Sequence, residues 1–470
     1  MPECGESRFL AERAARLREA VDGAGSRYDY LSVLGTDSTG LGFGATPREK
    51  RAEDSRWSER GFVFRAQKDG RVVEWATSSL PDGDLAALVA ERLDALLASA
   101  AGARRYPPIS DEKVEAAWRS GFERDPFAED PERVLATLDA ARKAVAAASD
   151  EIVFSTARAE FMRVAKLFVS RNRTLSQSFV WGQAYLVAVA RRGDVTKSAH
   201  ESFSGLKGLE LLDALAAKAA PVAEEASALL GAGGVEPGEY DVILTPAISG
   251  LLAHEAFGHG VEMDMFVKGR ALAAEYLGKS VASPIVDMYD GAKGVDECGT
   301  YLFDDEGVLS TRTLVIDKGR LVAGLFDLQS ALALGAAPTG NGRREAFDHK
   351  AYARMTNTYF APGTSRLEDM VAAVRRGWLL EKMASGMEDP KNWGIQLVVS
   401  LAREIRDGKL TGRVAGPVVC SGYVPDVLSA IDMVSSDFAL SGSGYCGKGH
   451  KEYVKVSAGG PYLKTKMRLG

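Results

Sequence analysis

The amino-acid sequence predicts an α+β fold, with a mixed α/β N-terminal domain followed by a largely β C-terminal domain that carries a metal-site helix. Helical and β-like periodicities alternate over the first half of the chain, and after Ser280 the periodicity is mainly β-like. Between the halves lies the Gly/Pro-rich segment GAGGVEPG, residues 231–238, whose composition is typical of a linker. We therefore expect one domain at 1–235 and a second at 236–470.

The helices of the first half are indicated by apolar spacing and by capping residues. Residues 7–22 repeat apolar side chains at helical intervals. Asp84 precedes an apolar helical stripe, and Asp130–Pro131 has the composition of a helix start. The Ala-rich segment 210–230 is also predicted to be helical, with an interruption at Pro221.

Strands are indicated by turn residues between runs of β-branched and aromatic side chains. The segment 61–78 is typical of a hairpin that turns at Asp69–Gly70, and 151–203 is the longest β-rich tract. In the second half, 301–327 predicts a β-meander. Its first turn, FDDEG at 303–307, is similar to part of a calcium loop but has no completing Glu, so we interpret its carboxylates as a solvated turn.

Composition argues against several classes of protein. The net charge is −6 and no basic stripe is interleaved with aromatic residues, which argues against a nucleic-acid partner. No apolar run approaches the about 18 residues that cross a membrane, and the charged N-terminal sequence is unlike a secretory signal. Four cysteines in 470 residues are too few for a disulfide framework. We expect a cytoplasmic protein that binds neither membrane nor nucleic acid.

The most informative stretch is residues 241–264, DVILTPAISGLLAHEAFGHGVEMD. It begins as an apolar strand that ends at Thr245–Pro246 and continues as a helix-like segment containing His254, Glu255 and His259. Two neutral imidazoles suit zinc, and a Glu directly after the first His is where metallopeptidases place the base that acts on zinc-bound water. A pair of ordinary core or surface histidines is the alternative.

The spacing of the two histidines does not suit a regular α-helix. Residues five apart differ by about 140° around the helix axis, so His254 and His259 would project from different faces. A π-bulge, or a loosening of the helix at Gly258 or Gly260, would bring the two imidazoles together. We therefore expect a distorted helix at this position.

Five motifs follow one another in the second half of the chain: HEAFGHGVEMD (254–264), FDDEG (303–307), GNGRRE (340–345), RMTNTYFAPG (354–363) and SGSGYCGKG (441–449). In these motifs and in their order the chain resembles the TldD/PmbA family of metallopeptidases, and specifically its TldD-like, metal-binding branch. The resemblance extends over most of 241–470, whereas the N-terminal half is similar to the family in outline only.

The resemblance implies a zinc-dependent peptidase that hydrolyses extended or unfolded peptide segments. Its metal ligands would be His254, His259 and Cys446, with Glu255 as the base. The family also implies a dimer enclosing a peptide cleft, either a homodimer or a heterodimer with a paralogous, metal-free subunit. The alternative is a non-catalytic peptide-binding or scaffold subunit with a structural metal, which the intact Glu255 disfavours. A hydrolase of a non-peptide amide would carry the same residues.

The surroundings of Cys446 also favour a ligand role. It lies in a Gly-rich loop that can lead a thiolate to a metal, whereas Cys298 and Cys420 lie in β-like runs typical of inert buried thiols.

Glu262 and Asp264 follow the second histidine. They could orient an imidazole N–H or belong to a solvated helix end, and Glu262 could itself be a ligand.

Four further residues have more than one interpretation each. Arg343 and Arg344 could hold a substrate carboxylate or an oxyanion, or tie down a loop. Asn357 could bond a peptide backbone or have a structural role. His450 stands where relatives commonly have Gln, and could be a substrate contact, a support for a ligand or a rival ligand.

Overall fold

The computed structural model describes residues 3–293, 295–449 and 452–470, and over these ranges the chain forms two large sheets with helices packed against them. In the described residues the N-terminal sheet contains eight strands and the C-terminal sheet contains 11. The strands of the first fall within 30–205 and those of the second within 238–469, on either side of the GAGGVEPG segment. The predicted α+β class is confirmed.

The strands of the N-terminal sheet are β1 (Tyr30–Ala45), β2 (Lys50–Asp54), β3 (Glu59–Lys68), β4 (Arg71–Thr77), β5 (Val114–Arg119), β6 (Ile152–Ser170), β7 (Arg173–Arg192) and β8 (Val195–Gly205). Their order across the sheet is β4-β3-β1-β6-β7-β5, with β2 paired to β1 and β8 paired to β7. Neighbouring strands are antiparallel except for β5 and β7, which run parallel. The predicted hairpin at Asp69–Gly70 is confirmed, since it joins β3 and β4.

The helices of the first half are α1 (Arg8–Ala11), α2 (Ala14–Gly25), α3 (Leu85–Ser99), α4 (Pro131–Ala147) and α5 (Leu215–Leu229), and a short 3-10 helix precedes α5 at Leu209–Ala214. Two predicted caps are confirmed, because Asp84 and Asp130 each accept a backbone N–H of the first turn at 3.0 Å. The predicted interruption at Pro221 is wrong, since α5 continues through it. Proline removes one helical hydrogen bond, and burial of the adjacent Val222 and Ala223 compensates for that loss.

The strands of the C-terminal sheet are β9 (Gly238–Leu244), β10 (Met288–Asp290), β11 (Thr313–Asp317), β12 (Arg320–Leu321), β15 (Asn357–Phe360), β16 (Arg376–Asp389), β17 (Gly394–Arg406), β18 (Lys409–Ala415), β19 (Val418–Tyr423), β20 (Met433–Lys448) and β21 (Glu452–Leu469). Five of them form a closed ring. β9 pairs with β16 in parallel and with β21 in antiparallel orientation, and β17 and β19 connect β16 to β21. A separate small pair is formed by β13 (Gly342–Arg343) and β14 (Tyr352–Ala353).

The helix that leads to the histidines is buried against this ring. The helices of this half are α6 (Pro246–Ala253), α7 (Met263–Val267), α8 (Leu328–Leu334), α9 (Leu367–Ala372) and α10 (Val424–Ser429). α6 packs against β21 and β16 so closely that a Cβ on Gly250 would lie 2.3 Å from the backbone N of Gly459. Within the described ranges, no helix has both the length and the apolar character needed to span a membrane.

The FDDEG motif is not the solvated turn that its spacing predicts. Asp304, Asp305 and Glu306 each expose no more than 5% of their surface. Asp305 forms an ion pair with Lys166 of β6, and Glu306 forms one with Arg65 of β3. The prediction is wrong because the N-terminal sheet, distant in sequence, supplies the cations that make burial of these carboxylates favourable.

Candidate metal centre

The two histidines lie where the helix changes its hydrogen bonding. α6 ends at Ala253, and His254–Gly258 forms a π-helical turn in which the backbone N–H of His259 donates to the carbonyl of His254. This bond spans five residues, so side chains five apart face the same side. The predicted distortion is confirmed, and of the two expected forms, a π-bulge or a loosening at Gly258 or Gly260, the structure contains the π-bulge. The two imidazole rings lie 5.1 Å apart between centroids, with their planes at 88°.

The glycines of the turn allow close packing on both sides. A Cβ on Gly258 would lie 1.9 Å from the Sδ of Met355, and one on Gly260 would lie 3.1 Å from Oε1 of Glu388. Real Cβ atoms do not approach other atoms as closely as the first of these distances. The turn can therefore occupy this position because residue 258 has no side chain.

Cys446 reaches the histidines from β20, so the predicted Gly-rich loop is wrong: the segment pairs with β21 and forms a strand. Its Sγ lies 3.3 Å from Nε2 of His259, and the ligand atoms of His254, His259 and Cys446 all lie within 4.8 Å of one another. Zinc bonds of about 2.0–2.3 Å to nitrogen and sulfur place tetrahedral ligand atoms about 3.3–3.6 Å apart. The donor set of two nitrogens and one sulfur fits zinc, and the separation between Sγ of Cys446 and Nε2 of His259 falls within this range.

The electrostatics of the cluster favour the ligand form of the cysteine. Burial alone would raise the pKa of the Cys446 thiol, but the adjacent His259 and His254 hold that pKa well below its ordinary value. A thiolate, not a thiol, is the form that binds a metal.

Glu262 contacts the second histidine on the edge of the ring away from the sulfur. Its Oε2 lies 3.2 Å from Nδ1 of His259 and 2.9 Å from Nζ of Lys448. Burial would raise the pKa of Glu262, but Lys448 and His259 lower it to about 2. A carboxylate at Nδ1 sets the tautomer that leaves Nε2 free as a ligand. The geometry therefore places Glu262 behind His259, not among the ligand atoms.

Asp264 does not contact either imidazole. Its carboxylate lies 2.6 Å from Nζ of Lys448 and 2.9 Å from Nζ of Lys268. Lys448 lies two residues after Cys446, so its bonds to Glu262 and Asp264 connect the end of β20 to the histidine segment. Sequence reasoning missed Lys448, although the acidic pair of VEMD and the lysine of CGK were the available signal.

Glu255 is half-buried beneath β16, where a Cβ on Gly386 would lie 2.7 Å from its Cγ. Glu388 lies two residues further along β16, so it projects from the same strand face. Both of its carboxylate oxygens are buried without a hydrogen-bond partner among the described residues. Burial raises its pKa to about 9, opposed by His259 and reinforced by Glu255. Sequence reasoning missed Glu388, and the sequence carries no signal for it.

The two arginines of GNGRRE contact protein groups. Arg344 is buried and its Nη2 lies 2.8 Å from Oε1 of Glu74 in β4. Arg343 donates from Nη1 to the carbonyl oxygen of Met355 at 2.7 Å. These contacts favour the interpretation in which both residues tie down loops.

Asn357 is also engaged within the protein. Its side-chain amide donates to the carbonyl oxygen of Gly291 at 2.9 Å and to Oγ1 of Thr300 at 3.0 Å, and the residue is fully buried. These bonds favour its structural role. His450, which the sequence singled out, lies outside the described residues.

Comparison with known proteins gives matches across the chain. Residues 237–468 match the family model of the PmbA/TldA metallopeptidase C-terminal domain. A metalloprotease of Methanothermobacter thermautotrophicus is 31% identical over 327 residues, which cover 69% of this chain and 71% of the relative. A zinc metalloprotease TldD homolog of Saccharolobus solfataricus is 30% identical over 61% of this chain and 64% of its own length.

Solved structures share the fold. TldE from Thermococcus kodakarensis aligns over 96% of this chain and 98% of its own, with a TM-score of 0.75 and 17% identity. A crystal structure from Thermotoga maritima, described as a candidate modulator of a DNA gyrase, aligns over 98% of this chain and 100% of its own, with a TM-score of 0.79 and 18% identity.

Proposed function

The chain belongs to the PmbA/TldD family of metallopeptidases, and we propose that it is a zinc-dependent peptidase that hydrolyses peptide bonds in extended or unfolded segments. One observation carries this proposal. The Cys446 thiol of β20 meets the imidazoles of His254 and His259 with all ligand atoms within 4.8 Å of one another, and the turn that begins at His254 also carries Glu255. Proteins similar to this chain are named metalloproteases, and one of them a zinc metalloprotease.

In this proposal His254, His259 and Cys446 hold the metal. Zinc bound there supplies a Lewis acid for the scissile carbonyl and makes a water molecule more acidic. Glu255 takes the proton of the attacking water and delivers it to the leaving amine. Glu262 accepts the Nδ1 hydrogen of His259 and thereby keeps the imidazole in one orientation.

The number of converging ligands supports a catalytic over a structural site. Among the described residues three ligand groups meet here, and catalytic zinc sites commonly use three protein ligands with a fourth position left for water or substrate. A structural site also has no use for a carboxylate such as Glu255 beside its ligand. A peptide-binding or scaffold subunit with a structural metal is the competing function.

The strands beside the site suit an extended substrate. β16 borders Glu255, and β20 carries Cys446. A strand recognises a peptide through main-chain hydrogen bonds, which require an extended backbone and place few demands on side chains. We therefore propose peptides and unfolded proteins as the substrate class. We also propose that the protein acts in the cytoplasm.

We further propose that the protein works as a dimer, with a second copy of itself or with a paralogous subunit. The likeness of its fold to TldE from Thermococcus kodakarensis supports a paralogue of the same shape as the partner. Sedimentation of the purified chain, alone and after co-expression with a paralogue, measures the oligomeric state directly.

The test of the function is removal and return of the metal. Hydrolysis of an unstructured peptide should cease after treatment with a chelator and resume on addition of about one equivalent of zinc per chain. Circular dichroism of the chelated sample controls for loss of fold. Full activity in a folded, metal-free sample would exclude the proposed chemistry.

A further inference from the structure

Tyr445 directly precedes Cys446 and contacts the N-terminal sheet. Its hydroxyl donates to Oε2 of Glu160 in β6 at 3.0 Å, and its ring stacks on that of Trp57 with centroids 5.0 Å apart. Successive side chains of a strand point to opposite faces. Tyr445 therefore faces the N-terminal sheet, and Cys446 faces the histidines.

The carboxylate that accepts this hydrogen bond is itself held on both oxygens. Ser55 donates to Oε1 of Glu160 at 2.6 Å, and the side-chain amide of Gln183 donates to Oε2 at 2.6 Å. Lys455 donates to the amide oxygen of Gln183, and its Nζ lies 4.4 Å above the ring of Tyr445. Because Ser55 and Gln183 also bond to Glu160, the position of this acceptor does not depend on Tyr445 alone.

The backbone just before Tyr445 is held by the N-terminal sheet, and regular pairing of β20 with β21 resumes only at Gly444. The ladder between β20 and β21 is irregular between Ser441 and Gly444, immediately before Tyr445. In this interval the N-terminal sheet supplies the contacts. Ser204 of β8 accepts the backbone N–H of Gly442 at 2.6 Å, and the Ser443 hydroxyl donates to that of Ser202 at 3.0 Å.

From this geometry we propose that Glu160 and Tyr445 are positioning residues for the metal centre: their hydrogen bond holds β20 so that Cys446 faces His254 and His259. The inference rests on the proposed function, since it takes Cys446 as a metal ligand. If the inference holds, zinc affinity depends on the N-terminal sheet, although that sheet supplies none of the three clustered ligand atoms.

The test compares two tyrosines with the same kind of bond. Tyr445→Phe keeps the ring and removes the hydroxyl, and zinc affinity measured by chelator competition should fall about 10-fold. The cobalt-substituted variant should also show a changed thiolate-to-cobalt absorption band. In the control Tyr28→Phe, which removes a 3.0 Å bond to Asp94 in the N-terminal half, both properties should match the wild type.

A double-mutant cycle separates positioning from general destabilisation. Once Glu160→Ala has removed the acceptor, Tyr445→Phe should cost little further zinc affinity. Wild-type affinity and an unchanged cobalt spectrum in Tyr445→Phe would overturn the inference, and so would fully additive losses or an equal loss in Tyr28→Phe. Two other outcomes would overturn the proposed function together with the inference: a wild type that binds no zinc, and unchanged zinc binding in Cys446→Ser.

Discussion

The backbone N–H of His259 donates to the carbonyl of His254, and this single five-residue hydrogen bond aligns two imidazoles that a regular helix would separate. The segment can thus use an HExxxH spacing, with the second His five positions after the first, to build one metal site. The distorted turn is also tightly packed, which makes its sequence requirements testable.

Gly258→Ala should damage the centre. The added methyl would lie 1.9 Å from the Sδ of Met355, so either the turn or that side chain must move. We expect a loss of about 1–3 kcal/mol in the free energy of unfolding, together with weaker zinc binding. Urea denaturation measures the first effect. Gly102→Ala is the control, because a Cβ there meets no atom within 4 Å. Equal stability of the two variants would contradict the packing described.

Glu255→Gln should retain zinc and lose turnover by a factor of about 10² or more, because the carboxylate acts on a proton and not on the metal. Zinc content and peptide hydrolysis are measured on the same sample. Near-normal rates with zinc present would require a different base. Loss of the metal would show that Glu255 supports the site structurally.

Glu74 should make the contact between β4 and the GNGRRE loop sensitive to acid. Burial would raise its pKa, but Arg65 and Arg344 lower it to about 2. Because the folded pKa lies below the unfolded value, the carboxylate contributes stability that is fully present above about pH 4.5 and is lost as the pH falls towards about 2. The destabilisation caused by Glu74→Gln should therefore be largest near neutral pH and shrink in acid. A pH-independent difference in urea denaturation would refute this.

Unstructured peptides should be cut, and compact folded domains should be spared. A strand-lined site requires an extended main chain, which a folded domain does not offer. One stably folded protein and its reduced, denatured form are incubated with the enzyme, and the cleavage products are followed by mass spectrometry. Comparable cleavage of both forms would contradict the proposed substrate class.

The features that local sequence carries were predictable. The spacing of His254 and His259 required a distorted helix, and the structure contains a π turn there. The caps at Asp84 and Asp130 follow from short-range chemistry. The family indicated by five ordered motifs is confirmed by the matches to the chain.

Features that depend on partners distant in sequence were not predictable. FDDEG is buried because Arg65 and Lys166, in the N-terminal sheet, neutralise Glu306 and Asp305. The ring of strands closes where β9 meets β21, more than 200 residues later, a pairing that no periodicity reveals. Glu388 lies beside the histidine segment because β16 passes over it. In each case the determining contact is tertiary.

The zinc content of purified Cys446→Ser tests the central claim most directly, since it asks whether a residue from β20 completes the site begun by the two histidines. The wild type should contain about one zinc per chain, Cys446→Ser should lose most of it, and Glu262→Gln should keep it, because Glu262 lies behind His259 and the amide retains an oxygen acceptor. Zinc retained in Cys446→Ser but lost in Glu262→Gln would contradict this account, and the ligand set would then have to be redrawn around the carboxylate.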